Sequence, residues 1–292
     1  MKKFLRRAVA PILASWLLLA GCTPNQVTPS ESPSLPTESP RKVTISLRSL
    51  ETIAVIGDSV SVGVSACDST SPCREASWAG GSDAKVNSVA SRIAKLAGRT
   101  PRIIYAARPG ADVASASNEV RRGLADSKTP RPQLTLVLLG ANDACASTSA
   151  DMTSGAEFGE SYRRLLDDLF KGAPGALTLA MSVPNIEQLW KLNHEDPSAM
   201  RAWSRFWGCN NLLRGGSSAD RSSIVNRVTE YNQIIARECT AARRCVYDGG
   251  ALNRHTFRTS EISGIDFFHP SKDGQRAIAE IAWSALKNSI AA

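Results

Sequence analysis

The sequence predicts an α/β fold with a central parallel sheet of about five strands and helices on both faces. Two observations predict it. Short apolar segments alternate with amphipathic segments of helical spacing from about residue 50 to the C-terminus. The apolar segments are hydrophobic almost throughout, which is typical of strands buried on both faces of a sheet. The chain has 292 residues and is 42% hydrophobic, which is enough for one sizeable core.

The chain begins with a segment typical of an export signal. Four of its first seven residues are basic, and residues 8–20 form an apolar stretch too short for an ordinary membrane span. Leu19-Ala20-Gly21-Cys22 resembles a bacterial lipobox, in which Cys22 becomes the lipidated first residue of the mature chain. The alternative is an ordinary secretory signal cleaved nearby. Both interpretations predict an exported, extracytoplasmic protein, either a lipoprotein anchored to the membrane through Cys22 or a secreted chain.

A tether is predicted between this signal, residues 1–21, and the folded domain, residues 47–292. Twelve of the 20 residues in 23–42 are Pro, Ser or Thr. Such a composition buries too little apolar surface to offset the entropy of ordering the chain. Residues 22–46 are therefore predicted to be a disordered tether.

The charge of the chain argues against a nucleic-acid partner. The formal net charge is +8, but residues 1–21 hold four basic and no acidic residues, so the processed chain carries 31 − 27 = +4. No basic run with interleaved aromatic residues occurs, and such runs are typical of nucleic-acid-binding surfaces. We expect a monomer without a nucleic-acid ligand.

The strands and helices can be assigned in order from their apolar residues. Continuous apolar runs predict strands at 52–56, 102–106, 133–139, 176–183 and 245–247. Apolar residues at helical spacing predict helices at 84–96, 113–124, 154–170, 220–242 and 271–290. Ser154 and Glu157 form a capping-box signature at the start of one of these helices. Segment 186–207 is ambiguous: its three tryptophans, Trp190, Trp203 and Trp207, either line a pocket for an acyl or aromatic group or pack on the core.

The cysteines predict disulfides. Apart from Cys22 there are six, an even number that in an exported chain indicates three bridges. Six cysteines allow fifteen pairings. We favour Cys67–Cys73 and Cys239–Cys245 because both are local, which leaves Cys145–Cys209. A zinc site is disfavoured, because no Cys-x-x-Cys occurs and the three histidines are scattered, so no metal is expected.

Several residues that could carry out chemistry stand at or after the predicted strand ends. Ser59 follows Gly57-Asp58 at the end of the first strand, where a serine can act as a nucleophile. Asp266 precedes His269 by three residues, so its carboxylate can reach Nδ1 and leave Nε2 free to take the serine proton. Asp58 is interpreted as a structural turn residue. Two nearby hydroxyls, Ser61 and Ser65, are interpreted as loop residues without a role, and His194 and His255 as histidines with no carboxylate at useful spacing.

The pattern resembles the SGNH/GDSL hydrolase family over roughly residues 50–290. The resemblance rests on four blocks in the family's order: Gly57-Asp58-Ser59, Gly110, Gly140-Ala141-Asn142-Asp143, and Asp266-Phe267-Phe268-His269. Val60 replaces the family's usual leucine, and around Gly110 only the glycine matches. No Gly-x-Ser-x-Gly occurs, so the nucleophile elbow of ordinary α/β-hydrolases is absent.

This resemblance implies a flavodoxin-like three-layer α/β/α sandwich that forms the catalytic domain, residues 47–292. It also implies a catalytic triad of Ser59, His269 and Asp266. The oxyanion hole would be formed by the amides of Ser59 and Gly110 and the side chain of Asn142, without a cofactor.

The expected function is hydrolysis of an acyl ester, either a lipid or an acylated glycan, by a serine esterase or lipase. A carbohydrate or cell-wall O-acetylesterase is the alternative enzyme. A non-catalytic lipoprotein that binds the cell envelope is the alternative of another class. Fold does not choose among the substrates of such a family.

Overall fold

The computed structural model describes residues 45–124, 130–205 and 208–290. The predicted signal peptide, the lipidation site Cys22 and all but the last two residues of the predicted tether lie outside the described residues, so they stay predictions. Trp207 also lies outside them. Within the described ranges, no helix has both the length and the apolar character needed to cross a membrane.

A five-stranded sheet forms the centre of the fold. All neighbouring strands are parallel, and their order is β2-β1-β3-β4-β5. The strands are β1 (Thr52–Gly57), β2 (Arg102–Ala107), β3 (Leu134–Leu138), β4 (Leu177–Ala180) and β5 (Cys245–Tyr247). Every residue of β1, β3 and β4 is buried, which explains why these segments are apolar without alternation. The predicted parallel sheet is confirmed.

Helices cover the sheet on both faces and complete the predicted three-layer sandwich. They are α1 (Val89–Ala97), α2 (Val113–Gly123), α3 (Ala141–Ala144), α4 (Gly155–Gly172), α5 (Glu187–Asn193), α6 (Pro197–Trp203), α7 (Ser218–Ala241), α8 (Ala251–Arg254) and α9 (Lys272–Ser289). Helices α2, α4 and α7 pack together in one layer, and α1 packs with α9 in the other.

The start of α1 differs from its prediction. A helix from residue 84 was predicted, but α1 begins at Val89, because the Ser88 side chain caps it by accepting the Ser91 amide. The preceding residues form a turn in which Asp83 accepts the Lys85 amide at 2.8 Å. This turn moves Val86 out of the helix and into a separate small apolar cluster. Local capping therefore overrides the apolar spacing.

The Trp-rich segment forms two short helices, α5 and α6, that pack on the domain. Trp203 is buried. Trp190 lies between the His194 ring, with centroids 3.8 Å apart, and the Arg221 guanidinium, 3.8 Å from its ring centroid. Packing on the fold, the second of the two interpretations, therefore describes these two tryptophans.

Three disulfides join the predicted pairs: Cys67–Cys73, Cys145–Cys209 and Cys239–Cys245. The second closes a separation of 64 residues, and on the loop-entropy model a bridge of that length stabilises the fold by about 4 kcal/mol. It connects the end of α3, just after Asn142, to the segment that follows α6. Each of the two short bridges is worth about 2.4 kcal/mol on the same model.

Candidate active site

Ser59 lies in a tight turn directly after β1. Its carbonyl accepts the Val64 amide at 3.0 Å, which closes the turn. Gly57 is required where the strand ends, because a Cβ there would lie 2.1 Å from Ser61 Oγ and 2.8 Å from the Leu138 carbonyl oxygen. The turn presents Ser59 Oγ to His269 Nε2 at a distance of 2.8 Å. That distance allows direct transfer of the serine proton to the imidazole.

Asp266 and His269 occupy one turn before α9. Asp266 Oδ2 lies 2.7 Å from His269 Nδ1, and Asp266 Oδ1 accepts the amides of Phe268 and His269, each at 3.0 Å. Between them Phe267 has a φ of +55°, a left-handed conformation that is strained for a bulky residue. The Trp203 indole donates to the Phe267 carbonyl at 3.3 Å and supports this turn. The structure thus brings Ser59, His269 and Asp266 together in one row of hydrogen bonds.

The surroundings of Asp266 keep its carboxylate ionised. Burial alone raises its pKa, but the hydrogen bonds from His269 and Ser65 oppose burial, and the net pKa lies below the usual range. The ionised Asp266 carboxylate accepts a hydrogen bond from the Nδ1–H group of His269. Nε2 of the neutral imidazole is then unprotonated and faces the serine.

The oxyanion hole predicted from the sequence uses two backbone amides, those of Ser59 and Gly110. Gly110 follows Pro109 in a turn of the type II pattern, in which the Ala111 amide donates to the Arg108 carbonyl at 3.2 Å. The φ of Gly110 is +75°, a left-handed value that favours glycine. A Cβ at this position would meet nothing within 4 Å, so the backbone conformation rather than crowding explains the glycine. In the part of the chain that the structure describes, neither this amide nor the Ser59 amide donates a hydrogen bond to protein.

Asn142 lies beside these amides, in the short helix α3 that follows the end of β3. Its Nδ2 donates to the Ala111 carbonyl at 2.9 Å and lies 3.4 Å from Asp58 Oδ2. The first contact orients the amide and ties it to the Gly110 turn. The second is at the outer limit of a hydrogen bond, so the second N–H of the amide is only weakly engaged within the protein. Asn142 can therefore supply a third donor to an oxyanion.

Asp58 is buried beneath this site. Its Oδ1 accepts the Val60 amide at 2.9 Å, which stabilises the turn that carries Ser59. Burial raises the pKa of Asp58 to about 6, while the Val60 amide and, when it is protonated, His269 oppose that rise. Its contacts are those of a turn residue, and it does not contact Ser59 Oγ or the ring nitrogens of His269.

Asp143 anchors the start of α2 from below. Its Oδ2 accepts the Val113 amide at 3.1 Å, three residues after Gly110. Burial raises the pKa of Asp143 to about 7, and the Val113 amide opposes the rise. Asn142 and Asp143 therefore attach the Gly110 turn at two points, Ala111 and Val113.

Replacing Asp143 by asparagine should change how stability depends on pH. The pKa of Asp143 in the folded state, about 7, lies above the ordinary value of 3.8. The contribution of the protonated carboxyl to the free energy of unfolding is therefore fully present below pH 3.8 and is lost as the pH rises through 7. Asparagine has no proton to lose. The free energy of unfolding of Asp143→Asn should therefore rise relative to wild type between pH 4 and 7, by on the order of 2–4 kcal/mol.

Chemical denaturation at a series of pH values measures this difference. Asp167→Asn, which removes an exposed carboxylate, is the matched control and should follow the wild-type pH dependence. A constant difference between Asp143→Asn and wild type across this pH range would contradict the assignment of Asp143 as a buried carboxyl with a raised pKa.

Two residues that the sequence analysis set aside have partners in the structure. Ser65 Oγ donates a short hydrogen bond to Asp266 Oδ2, so Ser65 is not a loop hydroxyl without a role. His255 Nε2 lies 3.1 Å from Glu261 Oε2, although no carboxylate at useful spacing was expected. Neither contact follows a periodic pattern, because each joins separate turns. His194 stacks on Trp190 away from the site.

A narrow apolar cavity of about 60 Å³ adjoins His269 and Asp58. It lies between the end of β3, helix α5 and the turn before α9. Its apolar wall includes Val60, Leu138, Leu189, Phe257, Ile262 and Phe268. Its apolar lining suits a short run of methyl or methylene groups. In the described ranges, no group of three or more His, Cys, Asp or Glu side chains could hold a metal ion.

The sequence matches the model of one known protein family. A model described as the GDSL-like lipase/acylhydrolase family matches residues 55–277. No curated protein matches the chain.

Solved structures share the fold at low identity. A lipase/acylhydrolase from Enterococcus faecalis is 15% identical with a TM-score of 0.49, over 82% of this chain and 96% of that chain. Phospholipase A1 from Streptomyces albidoflavus is 16% identical with a TM-score of 0.46, over 82% of this chain and 99% of that chain. A family 3 carbohydrate esterase from Clostridium thermocellum is 14% identical with a TM-score of 0.46, over 80% of this chain and 94% of that chain. These likenesses concern the fold alone.

Proposed function

Because the chain belongs to the GDSL-like lipase/acylhydrolase family, we propose that it is a serine hydrolase of acyl esters. The observation that carries the proposal is the continuous hydrogen-bond chain from Ser59 Oγ through His269 to Asp266, with distances of 2.8 and 2.7 Å. A nucleophile, a base and an orienting carboxylate in that order are what acyl transfer requires. The amides of Ser59 and Gly110 and the side chain of Asn142 complete the machinery.

The reaction proceeds through an acyl-enzyme. Ser59 Oγ attacks the ester carbonyl carbon while His269 Nε2 takes its proton, and Asp266 stabilises the imidazolium. The carbonyl oxygen becomes an oxyanion that accepts hydrogen bonds from the donors around it. The intermediate collapses, and the alcohol leaves with the proton from His269. Water then attacks the acyl-enzyme by the same route and releases the carboxylic acid, which regenerates Ser59.

The apolar cavity supports an acyl chain longer than acetyl. Its wall adjoins His269 and includes Val60, the neighbour of Ser59, so a chain attached to the reacting carbonyl can enter it. Each methylene buried there contributes about 0.8 kcal/mol. We therefore favour lipid or other long acyl esters as substrates.

A panel of p-nitrophenyl esters from acetyl to palmitoyl tests both parts of the proposal. The wild type should hydrolyse the octanoyl ester with a higher kcat/KM than the acetyl ester. Leu189→Phe places a ring in the cavity and should lower the octanoyl-to-acetyl ratio about tenfold, the cost of excluding roughly two methylenes. The matched control is Leu192→Phe on the same helix, outside the cavity wall, which should keep the wild-type ratio.

The other outcomes distinguish the alternatives. Hydrolysis restricted to acetyl esters and unchanged by Leu189→Phe would indicate a carbohydrate or cell-wall O-acetylesterase. If esters of no chain length are hydrolysed, the proposed enzymatic function is refuted. The remaining alternative is then a non-catalytic protein that binds the cell envelope.

A further inference from the structure

Ser65 has a close relation to the triad that its position in the sequence does not reveal. It lies six residues after Ser59 and is almost completely buried, with a relative exposure of 1%. Its hydroxyl donates to Asp266 Oδ2, the same oxygen that accepts His269 Nδ1. The chain of hydrogen bonds that begins at Ser59 Oγ thus ends at a second serine from the same loop.

The loop holds Ser65 in a conformation that other contacts must support. Its φ is +57°, a left-handed value that is uncommon for a residue other than glycine, asparagine or aspartate. The Ser263 hydroxyl donates to the Ser65 carbonyl at 2.7 Å. On the other side, the Gly63 carbonyl accepts the amides of Ala66 and Cys73, at 3.2 and 3.3 Å, next to the Cys67–Cys73 disulfide. The backbone is therefore fixed from two directions.

Four hydrogen bonds to the Asp266 carboxylate are seen among the described residues. Two backbone amides of its own turn hold Oδ1, while Oδ2 faces both His269 and Ser65. Without the Ser65 hydroxyl, the two amides would still hold Oδ1, but Oδ2 would keep only the imidazole, so the carboxylate would be fixed less rigidly on the side that faces His269. Because His269 takes its tautomer and orientation from this carboxylate, a less rigid carboxylate would also position the imidazole ring of His269 less precisely.

We propose that Ser65 is a positioning residue for the proposed hydrolysis: its hydroxyl holds the Asp266 carboxylate against His269. This inference rests on the proposed function. A hydrogen bond to a charged group is a strong one, and its loss should lower kcat by about 10- to 100-fold. KM should be unchanged, because Ser65 lies behind Asp266 and away from the apolar cavity.

Two substitutions separate the hydroxyl from the backbone. Ser65→Gly removes the hydroxyl and also relieves the left-handed strain, so part of the stability lost with the hydrogen bond is offset and the variant should fold. Ser65→Ala removes the same hydroxyl but retains a Cβ at a positive φ. If the hydroxyl acts on Asp266, both variants lose kcat to the same extent although their stabilities differ. Ser71→Ala, at an exposed serine of the same loop, is the matched control and should keep the wild-type kcat.

The pH profile supplies a second readout. Among the described residues, His269 is the titratable group that contacts the Asp266 carboxylate, and His269 in turn acts on Asp58 when it is protonated. The Ser65 hydroxyl stabilises ionised Asp266, so its removal should raise the pKa of Asp266. The kcat of Ser65→Gly relative to wild type should therefore fall further as the pH is lowered toward the range in which Asp266 becomes protonated.

The results separate this proposal from the one it rests on. If the wild type hydrolyses esters but Ser65→Gly retains its kcat and its pH profile, the positioning role is refuted and Ser65 is only a loop residue. If Ser65→Gly is fully active and only Ser65→Ala is impaired, backbone strain is the cause, and the role is likewise refuted. If the wild type hydrolyses no ester, it is the proposed function that fails.

Discussion

Ser59→Ala is expected to lower kcat for ester hydrolysis by about 10⁴-fold or more. The substitution removes the one oxygen that His269 Nε2 faces, at 2.8 Å, so no acyl-enzyme can form. The residual rate over water would come from the oxyanion donors, since the Ser59 and Gly110 amides and Asn142 stay in place. The backbone turn needs no serine hydroxyl, because the Val64 amide and the Asp58 carboxylate hold it.

The measurement is initial-rate hydrolysis of the best ester of the panel, with the free energy of unfolding determined in parallel. Unfolding should change by less than about 1 kcal/mol, which shows that the loss is chemical. Labelling by a fluorophosphonate gives a second observation: the wild type should be modified at Ser59, and the Ser59→Ala variant should not react. A variant with kcat within tenfold of wild type would mean that another group is the nucleophile.

Asp266→Asn should lower kcat by about 10⁴-fold, by imposing the wrong tautomer on His269. The amides of Phe268 and His269 both donate to Oδ1, so the asparagine carbonyl oxygen must occupy that position. Its NH₂ group then replaces Oδ2 and faces His269 Nδ1. Nδ1 becomes a hydrogen-bond acceptor, and the imidazole proton moves to Nε2. The base is then blocked at the atom that should take the Ser59 proton.

Hydrolysis kinetics at neutral pH check this expectation, and KM should stay near the wild-type value. The variant should fold, because the Ser65 hydroxyl can accept from the new NH₂ group as readily as it donates to the carboxylate. Asp68→Asn, at an exposed carboxylate of the loop closed by Cys67–Cys73, is the control and should keep full activity. A kcat of Asp266→Asn within tenfold of wild type would show that catalysis does not need the negative charge.

The fold was largely predictable from the chain because its signals are local. Continuous apolar runs exist where strands are buried on both faces, and β1, β3 and β4 are buried throughout. The disulfides followed from an even cysteine count and two short separations. The start of α1 was not predicted, because the serine cap at Ser88 and the turn at Asp83 outweigh the apolar spacing that includes Val86.

Within the candidate site, the sequence by itself determined the contact between Asp266 and His269. Three residues separate Asp266 from His269, and a single turn brings them together. The pairing of Ser65 with Asp266 was decided only by the tertiary structure, since 201 residues separate them and no periodicity marks a hydroxyl that supports a carboxylate. The same holds for the tie between Asn142 and Ala111, across two strand ends. Local patterns specify the shape of a turn, but which turns meet depends on how the helices and sheet pack.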